Sequence, residues 1–199
     1  TLHFNCNARL QMIDWQYFLL KWQLIALLLI NRRAAAVSLL NSMLKMYPND
    51  AYALFSRAHL HSQLNNNLLS LEDYRALTYG NNSTNAAHWF NQGFLQEQMG
   101  HLDQAELSFN QALRLDSSLD RCWYGLGLVL IQLKRFEEAI VALRRNTELQ
   151  PMSPYGWYQL ARIHTDRSET EEATRIIRHL KGFEPRIATQ LEFETGIKV

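Results

Sequence analysis

Along the first thirty residues, apolar positions recur at threes and fours. Met12, Trp15, Phe18, Leu19, Trp22, Ile25, Ala26 and Leu29 keep that rhythm, which predicts one helix from about Ala8 to Ile30. At 1.5 Å per residue it would be roughly 35 Å long. Further along, the pattern acquires a fixed step. Trp89, Trp123 and Trp157 stand 34 residues apart. After Trp123 come Leu126, Gly127, Ala139, Leu143 and Pro151. After Trp157 come Leu160, Ala161, Ala173, Ile177 and Pro185. After Trp89 come Gly93, Ala105, Phe109 and Ala112. The offsets from each tryptophan agree to the residue.

The step has a physical reading of its own. Gly93, Gly127 and Ala161 lie four past each tryptophan, on the same helical face, and a small side chain there lets a second helix approach closely. Ala105, Ala139 and Ala173 are the matching small residues on that second helix, 12 positions later. Gly100-His101, Lys134-Arg135 and Ser168-Glu169 are the turns between them. Pro151 and Pro185 fall just past the second helices, where a helix ends at little cost. Two helices cannot bury their apolar faces alone, so neighbouring pairs stack.

Upstream the pattern weakens but persists. Pro48 closes an earlier pair, with Ala36, Leu40 and Met43 at the expected offsets before it. The next pair begins near Ala51, with Ala58 as its small residue, Asn65-Asn66-Asn67 as its turn and Tyr74 at the aromatic position. It carries Ser70 where alanine is usual and needs one extra residue before Ala86 restores register. Gln92 in place of leucine and Asn146 in place of a small residue predict locally poorer packing.

These landmarks fit W-x2-L-G-x2-Y…A-x3-F…P, and the chain resembles the tetratricopeptide repeat family. The resemblance implies an all-α, right-handed α-solenoid of about five helix-turn-helix pairs. The pairs are placed at about 17–50, 51–85, 86–119, 120–153 and 154–187, forming a single domain over 1–199. Leu191-Glu192-Phe193-Glu194 followed by Gly196 reads as a short capping helix and a stop, within a cap at 188–199.

Composition narrows the function. Twenty basic against nineteen acidic residues give a net charge of +1, which argues against nucleic acid as the main ligand. Basic residues after Arg114 have acidic companions, as Glu171 stands four before Arg175. Cys6 and Cys122 are the only cysteines and form no CxxC, so neither a zinc framework nor a redox motif is expected; Cys122 reads as a packing residue. Leu24–Ile30 is far shorter than the about 20 apolar residues of a membrane span. No signal-peptide pattern opens the chain, and a cytoplasmic location is expected. His59 and His61, two apart, face different sides of a helix and do not make a metal site. Gly125-Leu-Gly127 lacks the third glycine and the strand of a phosphate loop. Neither HExxH nor GxSxG occurs. No catalytic residue, metal or cofactor is expected.

First helices of stacked pairs line a concave groove. Its exposed positions would be Phe18 and Lys21; Tyr52 and Phe55; Ala87, Phe90, Asn91 and Phe94; Arg121, Tyr124 and Leu128; and Tyr155, Tyr158, Gln159 and Arg162. Of these, Phe94 and Leu128 serve equally well as core between pairs. The ligand-binding set is therefore Tyr52, Phe55, Phe90, Asn91, Arg121, Tyr124, Tyr155, Tyr158 and Arg162. Tyrosines offer rigid apolar area with a polar tip, and the arginines suit a ligand carboxylate. The clamp of lysine, asparagine and arginine by which some family members hold a chaperone C-terminus is present only in fragments, at Lys21 and Asn91. The expected function is a non-catalytic adaptor or scaffold binding a peptide or amphipathic helix of a protein partner. The alternative is the substrate-selecting arm of a larger enzyme, such as a protein glycosyltransferase.

The N-terminal helix poses a separate question. A terminal repeat normally carries a polar outer face, yet this one is rich in tryptophan and leucine. Residues before Ala8 folding back, the second helix of the pair, a docked partner, or a homodimer through Trp15 and Trp22 would each cover it.

Overall fold

A computed structural model describes the backbone of residues 2–79 and 84–199 and the side chains of residues 15–79 and 84–199. Cys6, Met12 and the end of the second predicted pair therefore lie wholly or in their side chains outside the described residues. The described residues form eleven α-helices and no strand. They cluster into two compact units, residues 1–83 and 84–199.

The first unit holds α1 (Leu2–Leu29), α2 (Arg33–Met46), α3 (Ala51–Gln63) and α4 (Asn67–Thr78). The second holds α5 (Ala86–Gln98), α6 (Leu102–Leu115), α7 (Asp120–Gln132), α8 (Phe136–Leu149), α9 (Pro154–Asp166), α10 (Thr170–Lys181) and α11 (Pro185–Thr195). Each unit is a stack of antiparallel helix pairs, as the repeat requires. Pro185 ends one pair and also opens α11, so the final helix starts three residues ahead of the expected cap. Gly196, at φ 73°, stops it.

The turns explain the register. Asn31, Asn65, Gly100, Lys134 and Ser168 all have a left-handed backbone, with φ between 56° and 76°. The amide after each donates back to a carbonyl five residues earlier, as His101 does to Gln96 at 2.8 Å and Arg135 to Leu130 at 2.9 Å. This is the Schellman closure of a helix C-terminus. The one 35-residue step, from Asn65 to Gly100, contains the extra residue that the sequence demanded.

In the second unit the small residues do what their spacing predicts. A Cβ added to Gly127 would stand 2.7 Å from the Leu143 side chain. Phe109 is fully buried, and its ring is seated between two glycines. A Cβ on Gly93 would stand 2.9 Å from it, and one on Gly125 2.8 Å. Gly125 thus admits the aromatic of the preceding pair. The polar departures are not packing losses. Ser108 donates to Gln96 at 2.7 Å and accepts from Gln92 at 3.4 Å, inside the pair. Asn146 donates to the Asp120 carbonyl at 2.9 Å, in space left free by Gly156. Each of these side chains has a hydrogen-bond partner, which removes most of the cost of burying it. Arg175 pairs with Glu172, not with Glu171 as the sequence spacing suggested.

The first unit keeps Ala36 and Ala58 fully buried and adds polar ties between its helices. Ser70 donates to the Ala58 carbonyl at 2.7 Å. Arg57 on α3 grips Asp73 on α4 through two bonds, of 2.9 and 2.5 Å, and reaches Asn41 on α2 at 2.7 Å. His61 is buried, and burial pushes its pKa below the ordinary histidine value, with Asp73 opposing less strongly. The folded state therefore favours neutral His61. Above about pH 6.5 both states are neutral and the residue adds no pH dependence. As pH falls from there towards the depressed native value, the unfolded state binds the proton more readily, so stability drops. Urea unfolding at pH 7 and pH 5.5 is expected to show this loss, and His61→Leu is expected to make the slope shallower. An unchanged slope would remove His61 as the cause.

The N-terminal helix differs from expectation in its start and in its covering. It begins at Leu2, so residues 2–7 extend the helix instead of folding back over it. Nor does α2 hide the stripe. Leu24 on the opposite face is fully buried, while Trp15 is 67% and Trp22 56% exposed.

Candidate interaction surface

The first helices of the second unit, α5, α7 and α9, repeat the same face every 34 residues. Two of the tryptophans anchor it by tying α7 and α9 to the loops before them. Trp123 Nε1 donates to the Ser117 carbonyl and Trp157 Nε1 to the Pro151 carbonyl, both at 2.9 Å. That fixes the rotation of α7 and α9, and with it the residues two before and one after each tryptophan.

Those residues meet across helices. On α5, Phe90 stacks on Phe94 with centroids 6.4 Å apart. The guanidinium of Arg121, from α7, lies 5.9 Å from the Phe90 ring. Tyr124 on α7 and Tyr155 on α9 are 6.3 Å apart. Arg162 lies 5.8 Å from the ring of Tyr158 on its own helix. Tyr158 in turn donates its hydroxyl to Glu194 on α11 at 2.7 Å. Six of the nine predicted residues therefore meet in three pairs, Phe90 with Arg121, Tyr124 with Tyr155 and Tyr158 with Arg162, an aromatic row along α5, α7 and α9 with two cations. Asn91 is half-buried on α5. Tyr155 is exposed, and Tyr124 and Tyr158 are half-buried, packed against the core of the second unit.

The electrostatics of the row are set at its α11 end. The hydrogen bond to Glu194 raises the Tyr158 pKa and holds Glu194 below the usual carboxylate range, with Gln190 adding a second bond. Arg121 makes no ion pair among the described residues and rests on an aromatic face. The contrast lies on the second helices and their turns. There Arg135 pairs with Glu106 and Glu138, and Arg145 with Glu148. Arg167 pairs with Glu137 and Glu169. A guanidinium over a ring keeps its N–H edge open to a carboxylate.

The remaining predicted residues belong to the first unit. Tyr52 is half-buried, with Lys21 Nζ 4.3 Å from its ring and 5.3 Å from that of Tyr17. Tyr17 donates to Asp50 at 2.9 Å, and burial together with that bond pushes its pKa up to about 12. Phe55 packs edge-on against buried Tyr74, 6.2 Å away. Sequence reasoning missed Glu194 altogether. Its only signal was a position on a helix read as a cap. Among the described residues no group of histidine, cysteine, aspartate or glutamate could hold a metal ion. No described helix is long and apolar enough to cross a membrane. A hollow of about 560 Å³ between Trp89 and Trp123 is lined from α6 by Leu107, Asn110 and Arg114.

Comparison with known proteins agrees with this architecture. Residues 90–145 match the family described as tetratricopeptide repeat. Superkiller protein 3 of Saccharomyces cerevisiae is 23% identical over 108 residues, which is 51% of this chain but only 8% of that protein. A tetratricopeptide repeat protein from Parabacteroides merdae superposes with a TM-score of 0.79 at 19% identity, covering 90% of this chain and 73% of the other. YrrB, described as a TPR protein with an unusual peptide-binding site, superposes with a TM-score of 0.75 at 15% identity, covering 85% and 88%. At such identities these structures establish the fold.

Proposed function

We propose that this chain, which carries the tetratricopeptide repeat, is a non-catalytic interaction module that holds a peptide or amphipathic helix of a protein partner along the aromatic row of α5, α7 and α9. The carrying observation is that row itself. Phe90, Tyr124 and Tyr158 recur at repeat spacing with Tyr155 beside them, and Arg121 lies among them with no carboxylate of its own. Rigid aromatics give contact area at low entropic cost, and an unpaired guanidinium selects a ligand carboxylate by charge and by its planar fork. The peptide site named for YrrB lends this reading support from a neighbour in fold.

The test is a paired capture from the native cell, using wild-type chain and Tyr124→Ala/Tyr158→Ala as baits. The recovered partner's binding segment is then titrated against both. Losing a central aromatic anchor typically costs about 2 kcal/mol or more, so affinity is expected to fall at least roughly thirtyfold. A double variant that keeps its helical circular dichroism and binds at full strength removes the site assignment.

A further inference from the structure

Helix α1 is apolar on two opposite faces, and only one of them is used. Tyr17, Leu20, Leu24 and Leu27 pack into the core of the first unit. Trp15, Phe18, Trp22, Ile25 and Leu29, on the other side, are all exposed. Their spacing is three, four, three and four, the alternation of a helix that packs against another helix along a seam. The seam is already ordered. Trp15 meets Phe18 edge-on at 6.0 Å, and Phe18 meets Trp22 at 5.9 Å. From Trp15 to Ile30 the only charged residue is Lys21, and its ammonium sits over Tyr52 and Tyr17, away from the stripe.

We infer that this stripe is the interface of a twofold homodimer, in which α1 of one copy packs against α1 of a second. Three observations select a second copy. The first is area. The five exposed side chains of the stripe offer roughly 600 Å² of apolar surface, which falls within one partner's share of a standard stable interface. The second is the absence of charge, which leaves the face complementary to itself and to no acidic or basic partner. The third is shape. Within each unit, where a first helix receives the second helix of the pair before it, one repeating contact position is small: Ala53 on α3, Cys122 on α7 and Gly156 on α9. At the matching position α1 carries Leu19, with Trp22 beside it three residues on. Large side chains there block the close backbone approach of a stacked repeat and suit interdigitation at wider spacing. A twofold axis lets one such surface satisfy itself and closes the assembly at two. The inference does not depend on the aromatic row of α5, α7 and α9.

Sedimentation equilibrium of the full chain between 1 and 100 µM tests it. The expected mass is twice the 23.3 kDa of the single chain. Trp15→Glu/Trp22→Glu is expected to weaken dimerisation at least a hundredfold and leave a helical monomer. Ile25→Asp/Leu29→Lys serves as a second disruption should the first variant not fold. A wild-type monomer throughout that range overturns the proposal, as does a dimer unaffected by a folded variant. Masses that grow beyond two copies, or a wild-type monomer that floats with phosphatidylcholine–phosphatidylglycerol vesicles, overturn it as well.

Discussion

Replacing Phe109 by alanine is expected to destabilise the second unit by about 3–5 kcal/mol, the usual range for emptying a fully buried aromatic site. For a chain of this size that lowers the melting temperature by roughly 10 °C. The reason is geometric. Phe109 belongs to α6, yet its ring fills the approach to α5 at Gly93 and to α7 at Gly125. Its loss empties the contact within one pair and the contact between pairs together. The same geometry predicts a coupling. Gly125→Ala alone forces a Cβ to within 2.8 Å of the ring and is expected to destabilise. In the Phe109→Ala background that Cβ has room, and the helix propensity of alanine makes the change neutral or favourable. Thermal unfolding followed by circular dichroism measures all three variants. A cost below about 1 kcal/mol for Phe109→Ala would contradict a buried two-glycine seat.

Gly125 shows where sequence and structure part company. Gly93 and Gly127 were legible because each occupies a position that repeats. Gly125 repeats nowhere, since Gln159 and Asn91 stand 34 residues to either side. Its role depends on one aromatic from the preceding pair, and a step of 34 cannot reveal a contact made once. Gln92 and Asn146 share this property. Read singly each is a polar residue in an apolar place, whereas Ser108 and the Asp120 carbonyl supply partners that only the fold brings near. Lys134 and Ser168 are the converse case. Neither residue type asks for a left-handed backbone, and only their register with Gly100 marks the position.

Of the candidate surface, the row of first-helix aromatics was readable for the same reason as the fold: it repeats. What joins the residues was not. Arg121 lies over a ring of the preceding pair and Tyr158 bonds to the following helix, and such cross-pair contacts depend on helix rotation. Glu194 carries no repeat landmark at all. Its contribution arises because α11 packs beside α9 and brings that carboxylate to the Tyr158 hydroxyl.

Arg57→Ala is expected to destabilise the first unit by about 3–5 kcal/mol, comparable to Phe109→Ala but through charge. Asp73 is 3% exposed, and Arg57 donates two hydrogen bonds to its carboxylate. Truncating the arginine strands that carboxylate away from water and also frees Asn41, so three helices lose a common tie. Removing both charges has a different expected outcome. An Arg57→Met/Asp73→Leu pair leaves no buried ion and restores apolar contact, so its cost is expected to fall well below that of Arg57→Ala, or to vanish. This separates two accounts of how the polar tie among α2, α3 and α4 holds the unit together. If the ion pair acts mainly as a mutual neutraliser, the apolar pair recovers stability. If the fork of Arg57 is needed to fix α2, α3 and α4 together, the apolar pair stays as unstable as the single variant, and the neutraliser account fails. Urea unfolding of wild type and both variants, read from the change in midpoint at constant slope, decides between them.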